Sequence, residues 1–246
     1  MNQIKALVLA AGKGTRLRTE GIDLPKVMRL ADGKPLLHHV LSALDFLPAQ
    51  DVILVVGYQK EAILQAYPQY PYAVQEVQKG TGHAVQCAAH LLREFDGHVL
   101  ICCGDTPLMR RETFQALTDL HLGEGNACTM LSAVLDKGSN YGRVLREADG
   151  SFQRIVEARD CTPEQAAVRE VNVGTYLFHV PELLAALGQL TADNAQGELY
   201  LTDCPALIKA AGHRVGVCST CSAQEMLGVN TAEQLQEVED ILRAGR

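Results

Sequence analysis

A glycine-containing loop with two nearby cations is the first stretch of this chain that could do chemistry. The chain reads AAGKGTR after a short apolar run, and further on it reaches Pro25 and Lys26. Gly12 and Gly14 lack a Cβ, so their backbone N–H groups can approach an anion closely. Arg16 offers a planar fork to two phosphate oxygens, and Lys26 offers a compact charge. This pattern predicts a polyphosphate site, with an ordinary turn beside two surface cations as the alternative.

A second glycine-containing segment could recognise a base. Gln75 and Gln78 flank the end of a predicted strand, and the chain then reads KGTGHA. Glutamine amides can pair with the donor and acceptor edge of a base, and Gly80 allows the backbone to come close. The alternative is that Thr81 is simply the N-cap of the following helix. His83 in the same motif is interpreted as a residue of the helix start rather than as a catalyst.

Two oxygen-bearing side chains that lie far apart in the sequence could share a magnesium ion. Asp105 follows a buried strand, and Asn230 follows the segment LGV. Mg²⁺ usually takes one or two protein oxygens and completes its shell with substrate phosphates and water. The alternatives are an Asp-Thr-Pro turn at Asp105 and a helix N-cap at Asn230.

The elements between these segments must bring them together. Apolar runs alternate with stretches of helical spacing through the first half of the chain. The pattern predicts strands from residue 4 and over 51–57, 72–77 and 98–103, and helices over 35–47, 59–67, 82–95 and 112–122. Such alternation predicts a mainly parallel central sheet with helices on both faces. Its carboxyl ends share one edge, which would place residues 11–16, 78–82 and 104–106 together.

The second half of the chain differs in pattern and predicts a smaller acceptor-binding subregion. Strands are predicted over 127–135, 142–146, 152–156, 171–179 and 214–218, and helices over 181–187, 199–211 and 232–243. Polar clusters lie at the loops and strand ends, around Gly142, Glu157, Asn172 and the run 194–203. We expect one domain over residues 1–246, with a nucleotide-binding half (about 1–125), an acceptor-binding half (about 126–230) and a closing helix (231–246).

Composition excludes several classes of protein. The chain has 22 Lys and Arg against 29 Asp and Glu, a net charge of −7, which disfavours non-specific binding to nucleic acid or membranes. No apolar stretch is long enough to predict a membrane span, and the start of the chain does not resemble a signal peptide. The eight cysteines are therefore expected to be reduced thiols of a cytoplasmic protein. Cys218 and Cys221 form a single CxxC, without the two further ligands that a zinc site needs.

Taken in order, these motifs resemble a known family. LAAGKGTR with a later PK, then QKGTGHA, GDTPL, YGR, NVG, NAQGE-x-YLTD and GVN occur between residue 4 and about 235. The set is similar to the uridyltransferase domain of the bacterial N-acetylglucosamine-1-phosphate uridyltransferases, within the sugar nucleotidyltransferase family. The opening motif is shared by many nucleotidyltransferases, whereas GTGHA and NAQGE are narrower. The resemblance implies a Rossmann-like nucleotidyltransferase fold.

The resemblance also implies a role for each motif residue. The catalytic cations would be Arg16 and Lys26, and the ligands of Mg²⁺ would be Asp105 and Asn230. The nucleotide, UTP, would be bound by Ala10, Ala11, Gly12, Gly14, Gln75, Gln78, Gly80, Thr81 and Gly104. The sugar phosphate would be bound in the second half by Gly142, Glu157, Asn172, Tyr200 and Thr202.

The implied reaction joins UTP and N-acetylglucosamine 1-phosphate to give UDP-N-acetylglucosamine and pyrophosphate. The sugar phosphate already carries a nucleophilic oxyanion, so catalysis needs positioning and charge neutralisation rather than a general base. The alternatives are another sugar phosphate or nucleotide, or a catalytically silent nucleotide-sugar sensor. The chain departs from the family pattern at Cys103, where a tyrosine is common, and in a longer interval between Arg16 and Lys26. It also contains no hexapeptide repeats of the acetyltransferase domain that usually follows.

Overall fold

The structure is a computed structural model that describes residues 3–14, 17, 24–136 and 139–245. Its strands are β1 (Ile4–Ala10), β2 (Leu30–Ala31), β3 (Lys34–Pro35), β4 (Val52–Val56), β5 (Tyr72–Val74), β6 (His98–Cys103), β7 (Cys128–Val134), β8 (Arg143–Arg146), β9 (Phe152–Val156), β10 (Glu170–His179) and β11 (Val215–Cys218). Its helices are α1 (Leu36–Ala43), α2 (Lys60–Ala66), α3 (Thr81–Ala88), α4 (Arg111–Glu124), α5 (Pro163–Ala166), α6 (Val180–Leu187), α7 (Cys204–Ala210) and α8 (Ala232–Ala244).

A mainly parallel sheet forms the centre of the molecule, as predicted. Its strands lie in the order β11-β7-β10-β6-β1-β4-β5. All of them run in the same direction except β10, which pairs antiparallel with both β6 and β7. The pair β8–β9 continues from the beginning of β10. The direction of β10 was not predicted, because a buried strand is a similar apolar run whichever way it points.

Helices cover both faces of the sheet, which also follows the prediction. Alternate residues of β1 point to opposite faces, so Ala6 and Val8 pack with α1 and α4, whereas Leu7 packs with α3 and α6. Leu7 and Phe114 of α4 are fully buried. Burying side chains of this size stabilises the fold by about 1.5–3 kcal/mol each. A smaller cluster that includes Val229 and Val238 holds α8 against the β2–β3 hairpin side of the domain.

Several predicted elements are shorter in the structure because tertiary contacts end them. The helix predicted over 199–211 begins only at Cys204, after a 3-10 turn at Leu201–Asp203. The residues before it instead bond to the segment that precedes α3, where Leu199 N donates to Lys79 O at 2.8 Å. The strand predicted over 72–77 ends at Val74, and α3 ends at Ala88 in a 3-10 turn rather than continuing to residue 95. The helix α5 and the β2–β3 hairpin were not predicted.

The cysteines are free thiols, as composition predicted. All eight cysteines are free thiols, and Cys218 and Cys221 are buried in the hydrophobic core. None of the helices in the described ranges is long and apolar enough to cross a membrane.

Candidate functional site

The direction of the strands brings the candidate residues to one edge of the sheet. Because β1, β4 and β6 are parallel, the loops that follow them lie at the same edge. The antiparallel β10 brings its first residues, rather than its last, to this edge. Asn172 of β10 therefore lies beside the loop before β8, where its backbone N donates to Gly142 O at 2.9 Å.

Lys26 lies between the two predicted metal ligands. It begins a 3-10 turn directly after the extended Pro25, and the next residue, Val27, is buried in the core. The Lys26 ammonium forms an ion pair with Asp105 and donates to Asn230 Oδ1 at 3.0 Å. The Lys26 and Asp105 side chains are only 13% and 17% exposed, so this charge pair is largely shielded from water. Residues far apart in the sequence thus form one charged group.

Asn230 does not cap the last helix, so the cap interpretation is wrong. The N-cap of α8 is Thr231, whose side chain accepts a hydrogen bond from Gln234 N at 3.3 Å. The Gln234 side chain in turn accepts from the backbone N of Thr231 and of Asn230. This capping box satisfies the helix start, and the Asn230 side chain is directed to Lys26 instead. Val229 N donates to Asp105 O at 2.9 Å, which fixes the two loops against each other.

The oxygens around the Lys26 ammonium fit a hard divalent cation. Within the described residues, no group of three or more His, Cys, Asp or Glu side chains could hold a metal ion. However, one carboxylate oxygen and one amide oxygen converge on a single positive charge. That donor set suits Mg²⁺, which accepts few protein ligands when phosphate oxygens supply the rest.

The predicted phosphate loop lies directly against Lys26. Ala10 and Ala11 are buried, Gly12 is exposed, and Gly14 has a φ of +58°. A Cβ at Gly14 would lie 2.6 Å from the Cβ of Lys26, so only glycine permits this approach. The loop backbone at Gly14 is therefore packed against the base of the Lys26 side chain.

Of two further predicted site residues, the structure describes only Gly104. Gly104 continues from β6, where its N donates to Leu9 O at 2.9 Å and so extends the pairing with β1. Arg16, the second predicted catalytic cation, lies outside the described residues.

The predicted base-recognition segment folds next to the phosphate loop. The Gln75 side chain is buried and donates to Gly80 O at 3.0 Å, and it lies 3.1 Å from His83 Nδ1. Gln78 Nε2 lies 3.5 Å from Ala11 O. Burial, and then the nearby lysine at position 79, lower the pKa of His83. Gln75 thus fixes the conformation of the segment through its contact with Gly80. His83, at the start of α3, is in contact with the Gln75 side chain.

Thr81 connects the two halves of the site rather than capping α3. The N-cap of α3 is Gly80, without a side-chain cap, so the interpretation of Thr81 as the cap is wrong. Thr81 Oγ1 instead accepts from Leu201 N at 3.1 Å, and Gly82 N donates to Leu199 O at 2.8 Å. The residues after 198 are therefore fixed to the base-recognition segment.

A cavity of about 220 Å³, lined by both polar and apolar side chains, adjoins the Lys26 group. Glu157 is half-buried in its lining and accepts a hydrogen bond from Thr202 Oγ1 at 2.9 Å. Burial raises the pKa of Glu157, an effect that the bond from Thr202 opposes. The predicted residues that line this cavity are Thr81, Asp105, Gly142, Glu157, Asn172, Thr202 and Asn230.

Tyr200 is the predicted sugar-phosphate residue that does not line this cavity. Its hydroxyl lies 3.2 Å from Asp160 Oδ2 and accepts from Gln196 Nε2 at 2.8 Å. It faces a separate cavity of about 640 Å³, to which Glu157 also contributes. Its place in the NAQGE-x-YLTD motif did not indicate that it lines this second cavity.

Sequence reasoning missed Tyr176, and it included Tyr141 only as part of the YGR motif. Tyr176 lines the cavity and accepts from Asn172 Nδ2 at 2.8 Å. Tyr141 OH donates to Met226 O at 3.3 Å and accepts from Gly228 N at 3.4 Å, which holds the segment before Asn230. The signal for Tyr176 was a tyrosine on the same face of a strand as an asparagine.

Cys103 lines the cavity as an unreactive thiol. Burial, together with the negative charge of Asp105, raises the pKa of Cys103 to about 12. Its side chain lies near Gly174, with Sγ 3.9 Å from the carbonyl oxygen. The residue therefore acts on the site through its size rather than as a nucleophile.

The comparison with solved structures gives the fold. The structure is similar to that of a UDP-glucose pyrophosphorylase complexed with UDP-glucose, with a TM-score of 0.76, 18% sequence identity, and coverage of 99% of this chain and 100% of that one. The mixed sheet with helices on both faces is thus a Rossmann-like nucleotidyltransferase fold.

The sequence comparisons then give the family. Residues 6–203 match the MobA-like NTP transferase domain, and the chain belongs to that family. It is 43% identical over 257 residues to the bifunctional protein GlmU of Corynebacterium aurimucosum, covering 98% of this chain and 52% of that protein. It is 44% identical over 246 residues to GlmU of Thermobifida fusca, covering 97% of this chain and 50% of that protein. The chain spans about half the length of these curated relatives. The predicted nucleotidyltransferase family and fold are confirmed.

Proposed function

We propose that this domain transfers UMP from UTP to N-acetylglucosamine 1-phosphate, giving UDP-N-acetylglucosamine and pyrophosphate. The observation that carries the proposal is one cavity with two chemically different ends. One end holds Asp105 and Asn230 around the Lys26 ammonium, and the other holds Glu157 and Asn172. The first suits phosphates, and the second suits the polar substituents of a sugar.

At the phosphate end, this chain contributes positive charge and backbone donors. Backbone N–H groups of the loop at Gly12 and Gly14 can bind phosphate oxygens, and Lys26 can offset charge on the departing pyrophosphate. Asp105 and Asn230 would hold Mg²⁺, which when bound supplies a Lewis acid and positive charge to the phosphate oxygens. The nucleophile is the oxyanion of the sugar phosphate, so no side chain needs to remove a proton. This agrees with the engaged position of His83.

At the acceptor end, the half-buried Glu157 carboxylate has unused capacity to accept a hydrogen bond. Glu157 Oε1 accepts from Thr202, whereas Oε2 lies 3.5 Å from the position that a Cβ on Gly142 would take, facing the loop before β8. A buried carboxylate is stabilised by each donor that it gains. An acetamido group supplies one N–H donor and one C=O acceptor, which match Glu157 and the amide of Asn172. This complementarity favours an N-acetylated sugar over one with only hydroxyl groups.

The test is the release of pyrophosphate from UTP with a panel of sugar 1-phosphates. We expect N-acetylglucosamine 1-phosphate to give a higher kcat/KM than glucose 1-phosphate, because unpaired buried groups penalise the analogue that lacks the amide. Glu157→Gln keeps the size of the side chain and should reduce that preference. Equal kcat/KM for both sugars would refute the choice of sugar, and no pyrophosphate release with any sugar would favour a nucleotide-sugar sensor.

A second candidate is the same chemistry with glucose 1-phosphate. The observation that favours it is the similarity of the fold to a UDP-glucose pyrophosphorylase. The sugar panel separates the two, and the other nucleoside triphosphates test the preference for UTP. We also propose a cytoplasmic location, which the eight free cysteines support.

A further inference from the structure

The strand β10 contains an irregularity next to the acceptor end of the cavity. Its register against β7 shifts between Asn172 and Tyr176, and Gly174 between them has a φ of +79°. A glycine in the left-handed region with a shifted register is the mark of a β-bulge, which redirects a side chain. Here the Asn172 amide and the Tyr176 hydroxyl, four residues apart, come within 2.8 Å of each other.

Two hydrogen bonds fix the orientation of the Asn172 amide. Its Oδ1 accepts from Gly174 N at 3.2 Å, and its Nδ2 donates one hydrogen to the Tyr176 hydroxyl. If the amide turned over, its NH₂ group would face the N–H of Gly174, a contact between two donors. Among the described residues, Nδ2 has no second acceptor, and Asn172 lines the cavity.

Tyr176 is well suited to hold this amide. It is 1% exposed, and its ring stacks on Phe178 with centroids 5.4 Å apart and an interplanar angle of 28°. Packing of this kind leaves the ring a single position. Burial also raises the pKa of Tyr176, so the hydroxyl stays neutral and can accept from the amide.

We propose that Tyr176 is a positioning residue that sets the selectivity of the acceptor pocket through Asn172, favouring sugar phosphates with an acylamino substituent. The inference rests on the proposed function and deepens it. An amide substituent has a fixed donor and a fixed acceptor, so it requires a fixed partner. A hydroxyl group rotates to suit either orientation of Asn172. Tyr176 therefore affects the acylamino sugar far more than the plain sugar.

The experiment compares the two sugar phosphates in Tyr176→Phe, which keeps the ring and its stacking. We expect the ratio of kcat/KM for N-acetylglucosamine 1-phosphate to that for glucose 1-phosphate to fall about three- to tenfold, the worth of one hydrogen bond. The kcat/KM for glucose 1-phosphate should fall much less than that for N-acetylglucosamine 1-phosphate. Tyr70→Phe, a tyrosine that packs beside Tyr67, is the matched control and should leave the ratio unchanged.

A double-mutant cycle distinguishes positioning from a general loss of structure. In an Asn172→Ala background, Tyr176→Phe should have no further effect on the ratio, because its target is gone. Equal losses with both sugars, or additive losses in the cycle, overturn the inference. If Tyr176→Phe does not fold, Gly174→Ala, which strains the bulge, must lower the same ratio, and an unchanged ratio also overturns it. A wild-type protein without any preference for the N-acetylated sugar refutes the proposed function instead.

Discussion

Two neighbouring residues at the start of α8 allow the metal role to be separated from the structural role. Asn230→Ala removes the oxygen that faces Lys26 but keeps the backbone N that donates to the Gln234 side chain. The capping box of Thr231 with Gln234 therefore remains. Thr231→Ala removes the cap and leaves the Asn230 oxygen in place. Each variant is thus the control for the other.

Asn230→Ala should change the Mg²⁺ requirement, whereas Thr231→Ala should change only the stability. If Asn230 holds Mg²⁺, its loss should raise the Mg²⁺ concentration for half-maximal activity at least about 10-fold, as for other groups that support metal sites. Asn230→Ala also loses a partly buried hydrogen bond to Lys26, a net cost of about 1 kcal/mol. Thr231→Ala should cost about 1 kcal/mol of stability, which lowers the Tm by about 2–4 °C in a chain of this size. It should leave the Mg²⁺ requirement unchanged.

The assay is pyrophosphate release against Mg²⁺ concentration, with both substrates saturating, beside a melting curve for each variant. An unshifted Mg²⁺ dependence in Asn230→Ala refutes the ligand role. An equal shift in Thr231→Ala would mean that the dependence reports the stability of α8 rather than a metal ligand.

Three further predictions concern other parts of the chain. Lys26→Ala should reduce the rate about 10²–10³-fold, and near wild-type turnover would contradict the catalytic role. The same variant should bind Mg²⁺ more tightly in calorimetry, because the ammonium no longer competes for Asp105. His121 is buried with its pKa lowered to about 3, chiefly by burial and then by His98. The unfolded chain therefore takes up the proton first, and stability should fall as the pH drops from about 6.5 towards 3, by at most about 1.4 kcal/mol per pH unit. His121→Gln should flatten that slope in urea unfolding at pH 7 and 5, and an unchanged slope would assign it to other groups. Gly80→Ala would place a Cβ 2.5 Å from Leu199 O, whereas Gly33→Ala, also at positive φ, meets nothing within 4 Å. Gly33→Ala should therefore lower the free energy of unfolding by about 1–2 kcal/mol, and Gly80→Ala should lower it clearly more. Similar melting temperatures for the two variants would contradict this expectation.

The sequence predicted the parallel part of the sheet because its strands are continuous apolar runs between helical stretches. It did not predict that β10 runs the other way, and that direction decides which end of the strand faces the site. Asn172 could be singled out as a polar residue at a strand start, yet its place beside Gly142 depends on this direction. Local patterns specify elements, whereas their orientation in the sheet depends on contacts between distant segments.

In the candidate site too, local sequence patterns predicted some contacts but not those between distant segments. The capping box of α8 was readable from the sequence, because Thr231 is followed three residues later by Gln234. That signal assigns the cap of α8 to Thr231 rather than to Asn230. By contrast, nothing in the local sequence of Lys26 indicates that it contacts Asp105 and Asn230. That contact follows from tertiary structure. The family resemblance implied only that Lys26 meets the phosphates and that Asp105 and Asn230 hold the metal ion.

The position of β10 has a consequence for folding during synthesis on the ribosome. β10 fills the place between β6 and β7, although it follows both along the chain. Until residue 179 has emerged, β6 presents an open row of backbone N–H and C=O groups, which is a template for pairing with other chains. The first half is therefore not a module that completes its fold early, and closure of the sheet waits for the acceptor half. We expect a chain truncated after residue 168 to aggregate in light-scattering measurements, whereas the full chain stays monodisperse. A monodisperse fragment that melts cooperatively would show instead that β6 tolerates its open edge.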